Sequence, residues 1–294
     1  MSGADIEARL DPEMRAALAE NAKAVAGWEA ELRDLAAARL AYARGRNHWN
    51  ADRPAVARVQ NQLVPGPHGP IPVRIYRPVA DSRLLPVLVF VHGGGYVLGI
   101  DYRLAPEHRF PAQIEETAAV LDWIQTQAAS VELDRGRVAL GGDSAGAHIS
   151  LGVALQRKAR LPVLKALILY YGAFGLADSD ARRRLGVAET GLSREDLAFY
   201  EASYLGGPVP RGDPRYDCLA GDLRGLPPAY VLACELDPLL DDSLELAEGL
   251  AAAGVPHRLR RYDGVLHGFL HYSRVVPKAM QALDEGAAAL KDWL

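Results

Sequence analysis

The stretch RVALGGDSAG at residues 137–146 puts a Gly-x-Ser-x-Gly motif directly after an apolar run, and the helix-favouring AHISL follows it at 147–151. This order predicts a strand, a sharp turn and a helix. A serine on such a turn is lifted clear of the sheet, where its hydroxyl can attack a bound molecule. The motif alone is weak, because glycine is a common residue and a serine between glycines also suits an ordinary tight turn. Ser144 is therefore a candidate nucleophile that needs partners elsewhere in the chain.

The composition is that of a globular chain with one large core. Its 294 residues are 49% hydrophobic, and a chain of this size can bury about 75% of its unfolded surface. The net charge is −4, and no basic cluster indicates a nucleic-acid partner. The run Arg182-Arg183-Arg184 is expected to be a solvated helix face.

The cysteines and the N-terminus exclude several further classes of protein. Cys218 and Cys234 are the two cysteines, and their separation indicates neither a disulfide framework nor a metal site. Residues 1–10 lack the pattern of a signal peptide. No apolar run is long enough to span a bilayer. We therefore expect a cytoplasmic protein without a membrane partner.

Predicted strands and helices alternate along most of the chain. Residues 1–50 are predicted to be helical, with Asp11 as the N-cap before Pro12. Residues 56–75 predict a β-hairpin, and the apolar run LPVLVFV at 85–91 predicts a strand buried on both faces. Further strands are expected at 138–141, 164–171, 229–234 and 257–262, and further helices at 112–129, after Ser144, at 239–253 and at 279–294.

This alternation predicts an α/β fold with a mostly parallel central sheet flanked by helices. Residues 179–215 interrupt the alternation with charged helical sequence, and they are predicted to form an insertion above the sheet. The body of the fold is then residues 51–178 and 216–294.

Three more signals fall at the ends of predicted strands. The glycine run His92-Gly93-Gly94-Gly95 follows the strand at 85–91, and its glycines let backbone N–H groups approach a ligand closely. Asp237 and His267 follow the strands at 229–234 and 257–262. Taken alone, Asp237 suits a helix N-cap and His267 suits a loop histidine. Together they supply what a serine hydroxyl needs in order to attack a carbonyl, namely a base, a carboxylate that orients the base, and donors for the oxyanion.

The chain resembles the bacterial hormone-sensitive-lipase-like (family IV) carboxylesterases of the α/β-hydrolase superfamily. The resemblance covers nearly the whole chain, and the motifs that carry it are HGGG at 92–95, DYRLAPE at 101–107, GDSAG at 142–146, DPL at 237–239 and HGF at 267–269. It implies an α/β-hydrolase fold with a helical cap formed by residues 1–50 and 179–215.

The resemblance also implies roles for individual residues. Ser144 is the implied nucleophile, His267 the base and then the acid, and Asp237 the residue that orients His267. The amides of Gly94, Gly95 and Ala145 are the implied oxyanion hole, and the supporting motif residues are His92, Gly93 and Asp143.

No cofactor and no metal are implied, and the substrate is a small ester with a short or medium acyl chain. Family members often pair through an edge strand, so the resemblance also raises a homodimer. Phe199, Tyr200 and Tyr204 recur at near-helical spacing, which suits either lining of the pocket or packing of the cap onto the body.

A few positions depart from the family pattern. Ala147 stands where a second glycine often follows the serine turn, and Leu240 and Asp242 replace a common arginine and glutamate. These positions affect the fit of the substrate rather than the reaction.

The glycine run is separated from the DYRLAPE motif by far fewer residues than in the family. Family members carry a helix and a whole strand between the two, whereas Gly99 here reaches Asp101 through Ile100 alone. A parallel crossover needs a dozen or more residues. Either the chain has a genuine deletion with a rearranged sheet, or residues of the natural chain are missing from the sequence. Loss of an internal strand would leave two unpaired edges, which favours the second explanation.

The sequence therefore predicts a serine carboxylesterase. Two alternatives remain open: a non-catalytic binding protein on the same fold, and hydrolysis of lactones or amides by the same residues. The fold itself carries no information about the substrate.

Overall fold

A five-stranded parallel sheet organises the molecule. The computed structural model describes residues 3–27, 34–98, 102–158 and 164–294. The strands of the sheet lie in the order β3-β4-β5-β6-β7, and a separate antiparallel hairpin consists of β1 and β2. Their bounds are β1 Arg58–Val64, β2 Ile71–Arg77, β3 Leu85–Val91, β4 Leu133–Asp143, β5 Leu164–Tyr170, β6 Ala229–Leu236 and β7 His257–Leu266. The predicted α/β fold is confirmed.

The helices lie where the apolar periodicity places them. Asp11 caps α2 through its side chain, which accepts a hydrogen bond from the Glu13 amide at 3.1 Å, as the Asp-Pro sequence predicts. Among the described residues, no helix is both long and apolar enough to cross a membrane. The helices are α1 Gly3–Arg9, α2 Pro12–Val25, α3 Leu35–Trp49, α4 Ala112–Gln127, α5 Ala145–Arg157, α6 Asp180–Leu185, α7 Arg194–Leu205, α8 Leu240–Ala252 and α9 Pro277–Trp293.

The core has two layers, one on each face of the sheet. On one face, the apolar side chains of α4, α5 and α8 pack against Val87, Leu140 and their neighbours. On the other face, α9 and the N-terminal helices pack against side chains of β5, β6 and β7. Strands covered in this way have to be apolar along their length, as β5 and β6 are.

The carboxyl ends of the strands bring the predicted site residues to one edge of the sheet. Parallel register pairs Val91 with Gly142 and Leu236 with Leu266. The segments that follow β3, β4, β6 and β7 therefore emerge side by side, at the edge where open α/β sheets bind their ligands.

The prediction that residues 85–91 are buried on both faces is wrong. Val87 and Val91 are buried, whereas Leu88 is 39% exposed and Phe90 is 48% exposed. Within the described ranges, β3 pairs with β4 alone, and β1 and β2 pair only with each other. The exposed residues form one face of an outermost strand, which a continuous apolar sequence does not reveal.

This arrangement bears on the short connection between the glycine run and the DYRLAPE motif. Gly99, Ile100 and Asp101 lie outside the described residues. The edge position of β3 and the separation of the hairpin from the larger sheet, both formed by residues that precede this segment, match what loss of a strand beside β3 would leave. The unpaired edge and the apolar side chains beside it are the features that favour association between proteins.

We predict that Leu88→Lys lowers self-association without unfolding the protein. The side chain already meets solvent, so the free energy of unfolding should change by no more than about 0.5 kcal/mol. Val87→Lys is the matched control on the buried face, and it should destabilise the fold by about 3 kcal/mol or more because it buries an unpaired charge. Thermal unfolding and light scattering against concentration measure both effects. Equal destabilisation by the two variants would contradict the assignment of an exposed face.

Candidate active site

Ser144 lies on a strained turn between β4 and α5. Its φ of 52° and ψ of −121° are uncommon for a residue with a side chain, and such strain is often found at functional sites. The turn packs closely against β3, and only glycine leaves room for this packing. A Cβ on Gly142 would lie 2.3 Å from the carbonyl oxygen of Val91, and one on Gly146 would lie 1.9 Å from it. The motif therefore forms the strand-turn-helix predicted from the sequence.

Hydrogen bonds join Ser144, His267 and Asp237 in one chain. The Ser144 hydroxyl lies 2.8 Å from His267 Nε2, and His267 Nδ1 lies 2.7 Å from Asp237 Oδ2. An ionised carboxylate can only accept, so Nδ1 carries the proton and Nε2 is free to accept from the serine. The buried Asp237 is itself oriented, because its Oδ1 accepts from the Leu239 amide at 2.8 Å.

The pKa of His267 lies above its ordinary value of 6.5. Burial of the ring lowers this pKa, but the charge of Asp237 and the hydrogen bond to it raise it by more. The geometry thus favours uptake of a proton from Ser144, since the imidazolium that forms lies against a carboxylate.

The glycine run turns sharply beside Ser144. Gly94 has φ of 116° and Gly95 has φ of 60°. A Cβ on Gly94 would lie 2.0 Å from the Leu98 carbonyl oxygen, and one on Gly95 would lie 2.5 Å from the ring of Tyr200. The amides of Gly94 and Gly95 have no hydrogen-bond acceptor within the described ranges. Both residues line the pocket together with Ala145, the first residue of α5.

The supporting residues hold this loop in place. Asp143 is buried, and its Oδ1 accepts from the Gly93 amide at 2.8 Å. The ring of His92 stacks on Tyr102 at 4.3 Å, and its Nδ1 donates to the Gly93 carbonyl at 2.7 Å. Asp143 therefore connects the loop after β3 to the turn after β4.

A pocket of about 430 Å³ opens above Ser144. Residues 173–201 supply a large part of its lining, and much of that part is polar or charged. Among the described residues, no group of His, Cys, Asp or Glu side chains has the arrangement of a metal site. The titratable residues of the lining, besides Asp143 and His267, are Tyr42, Tyr96, His148, Asp178, Arg182, Arg194, Tyr200, Glu201, Tyr216 and His271.

The three aromatic residues of α7 behave differently from one another. Tyr200 lines the pocket against Gly95. Tyr204 is fully buried and stacks on Tyr96 at 3.8 Å, and Phe199 packs against the core. One of the three thus lines the pocket and the other two pack the insertion onto the body.

Two ion pairs beside the site have no signal in the sequence. Arg182 donates to the buried carboxylate of Asp242 at 2.8 Å, so the prediction of a solvated face is wrong for Arg182, although Arg183 and Arg184 are exposed. Burial raises the pKa of Asp242 despite this pairing.

The second ion pair joins Arg39 of α3 to Glu107 at 2.7 Å. Arg39 also donates to the Val97 carbonyl at 2.9 Å, and this bond connects the N-terminal helices to the segment after the glycine run.

Comparison with known proteins agrees with this geometry. Residues 94–271 match the model of the α/β-hydrolase fold family. The chain belongs to this family. It is 37% identical over 305 residues to an acetyl esterase of Salmonella choleraesuis strain SC-B67, with 95% of this chain and 93% of that protein covered. An alignment longer than the chain itself means that the relative has residues that this chain lacks.

Solved structures lead to the same conclusion. The hyperthermophilic esterase of Pyrobaculum calidifontis is 28% identical, with a TM-score of 0.90 over 97% of this chain and 98% of that one. An ester hydrolase from the Lake Arreo metagenome is 33% identical, with a TM-score of 0.88 over 96% and 98%. The resemblance to hormone-sensitive-lipase-like esterases is confirmed, and this α/β hydrolase is a carboxylic ester hydrolase.

We predict that the activity of this hydrolase falls at acid pH with a midpoint above 6.5, the ordinary pKa of histidine. Below its raised pKa, His267 carries a second proton and cannot accept one from Ser144, so kcat/KM should drop about tenfold for each further pH unit. The measurement is kcat/KM for a neutral p-nitrophenyl ester from pH 8 to pH 5, with circular dichroism to show that the fold persists. A rate that stays constant over this range would exclude His267 as the base.

Proposed function

We propose that this chain is a serine carboxylesterase that hydrolyses short- to medium-chain acyl esters through an acyl-enzyme. The observation that carries the proposal is the hydrogen-bonded chain Ser144-His267-Asp237, with distances of 2.8 Å and 2.7 Å, at the base of a pocket. A serine hydroxyl with a base and an orienting carboxylate in this order is the arrangement that nucleophilic acyl transfer requires.

The first half of the reaction forms the acyl-enzyme. Ser144 Oγ attacks the ester carbonyl carbon while its proton passes to His267 Nε2. Asp237 stabilises the imidazolium and keeps its Nδ1–H pointing away from the substrate. When the tetrahedral intermediate collapses, His267 gives the proton to the departing alkoxide, so an alcohol leaves and the acyl group remains on Ser144.

The amides of Gly94, Gly95 and Ala145 stabilise the negative charge on the carbonyl oxygen. The two glycine amides lack acceptors within the described residues, and the Ala145 amide belongs to the first turn of α5, where N–H groups have no intrahelical acceptor. Hydrogen bonds from fixed donors of this kind become stronger as negative charge develops on the carbonyl oxygen in the transition state.

Water completes the reaction. His267, neutral again, takes a proton from a water molecule that attacks the acyl carbon, and it returns the proton to Ser144 as the acid leaves. Residues 1–50 and 179–215 serve as the cap over the substrate. Tyr42 from the first segment and Tyr200 from the second both line the pocket, which supports this division.

The lining favours short acyl groups. Arg182, Arg194, Asp178 and Glu201 interrupt its apolar part, and a long alkyl chain would displace water from these charged groups and offer them no polar contact in return. The Salmonella relative is named an acetyl esterase, which agrees with this preference.

We predict that Ser144→Ala lowers kcat for p-nitrophenyl acetate by at least about 10⁴-fold, because the nucleophile is lost. Across a p-nitrophenyl acyl series, the wild type should favour the short chains. Ser150→Ala is the matched control, since this buried hydroxyl lies on α5, the helix that follows Ser144, and does not line the pocket. It should retain wild-type kcat. An inactive wild type would refute the esterase mechanism and leave the binding-protein alternative, whereas an active Ser144→Ala variant would refute Ser144 as the nucleophile.

A further inference from the structure

The carboxylate of Asp143 is fixed at only one of its two oxygens. Oδ1 accepts from the Gly93 amide, whereas Oδ2 is buried and has no hydrogen-bond donor in proper geometry among the described residues. A buried acceptor without a partner costs about 1–3 kcal/mol, so such an atom calls for an explanation. The imidazole of His271 lies beside it, with Nε2 3.4 Å from Oδ2.

His271 belongs to the same loop as the proposed base. A short 3₁₀ turn, Phe269–Tyr272, follows His267, and the His271 amide donates to the Gly268 carbonyl at 3.0 Å. The His271 side chain is 30% exposed and lines the pocket. It therefore lies beside Asp143 in the wall of the pocket, at the meeting point of the segments that follow β3, β4 and β7.

The charges around this pair suit a neutral imidazole and an ionised carboxylate. Burial lowers the pKa of His271, and the nearby Arg46 guanidinium lowers it further, against the effect of Asp143. Burial raises the pKa of Asp143, but His271 and the Gly93 amide outweigh burial, so that this pKa lies below its ordinary value. A neutral ring has one N–H to give, and Asp143 can accept it.

We propose that His271 is a positioning residue for ester hydrolysis: its Nε2–H donates to Asp143 Oδ2 and so fixes the carboxylate that holds the glycine loop against Ser144. The proposal rests on the proposed function. Catalytic hydrogen bonds are often long in an empty site and tighten in the complex with substrate, and the 3.4 Å contact shortens in this way. Asp143 then holds the Gly93 amide, and the amides of Gly94 and Gly95 stay directed at the carbonyl oxygen.

Substitutions at position 271 separate the N–H group from the ring. His271→Phe keeps a ring and removes the donor, and its kcat should fall about 10- to 100-fold with little change in KM, somewhat less than the 10²–10³-fold cost of deleting an oxyanion donor itself. His271→Gln retains an N–H near the position of Nε2 and should recover most of kcat. Tyr272→Phe is the matched control on the same turn, and it should keep wild-type kcat because Tyr272 does not line the pocket.

A double-mutant cycle with Asp143→Asn tests whether His271 acts through Asp143. The loss of kcat caused by His271→Phe should largely disappear in the Asp143→Asn background. The carboxylate that accepts the Nε2–H is already absent there, so removal of the donor has no further effect. Thermal unfolding of each variant shows whether a loss of kcat reflects the fold.

Each outcome decides the proposal. It is overturned if His271→Phe retains wild-type kcat, if His271→Gln is as impaired as His271→Phe, or if the two losses multiply in the double variant. If one of these results is found while the wild type is active and its activity depends on Ser144, the proposal for His271 fails and the proposed function does not. A wild type that hydrolyses no ester overturns both.

Discussion

The hydrogen bond from the Gly93 amide to the Asp143 carboxylate, 2.8 Å long, is the contact on which the candidate site depends. It joins the loop that follows β3 to the turn that carries Ser144. Among the described residues β3 is an edge strand of its sheet, so the loop that follows it has a neighbouring strand on one side only. Because a Cβ on Gly93 would lie 2.5 Å from the same carboxylate, only glycine allows the two segments to approach so closely.

The sequence predicted the architecture well because local patterns determine it. Apolar runs and helical periodicity located the seven strands and the long helices of the described residues. The motif order placed Ser144, Asp237 and His267 at strand ends, where their side chains meet. The exposed face of β3 could not be predicted in this way. The run LPVLVFV is the same whether or not a neighbour covers it, and burial there depends on residues far away in the sequence.

The parts of the site that the sequence did not reveal are long-range contacts. Arg182 lies in a run that suggests a solvated face, and only the folded chain brings it to Asp242. His271 follows His267 at a spacing of about one helical turn. This spacing is the sequence signal that could have indicated a second histidine at the site. In contrast, the GDSAG motif indicates Asp143, although nothing in the motif indicates its hydrogen bond to the Gly93 amide.

With the glycine loop fixed at the edge of the sheet, the central claim is that His267 activates Ser144. The most direct test is covalent labelling with a p-nitrophenyl phosphonate ester, followed by intact mass and peptide mapping. The account predicts one phosphonyl adduct per chain, located on Ser144, and at least about 10³-fold slower labelling in a His267→Ala variant. Labelling at the same rate without His267, or on another residue, would contradict it.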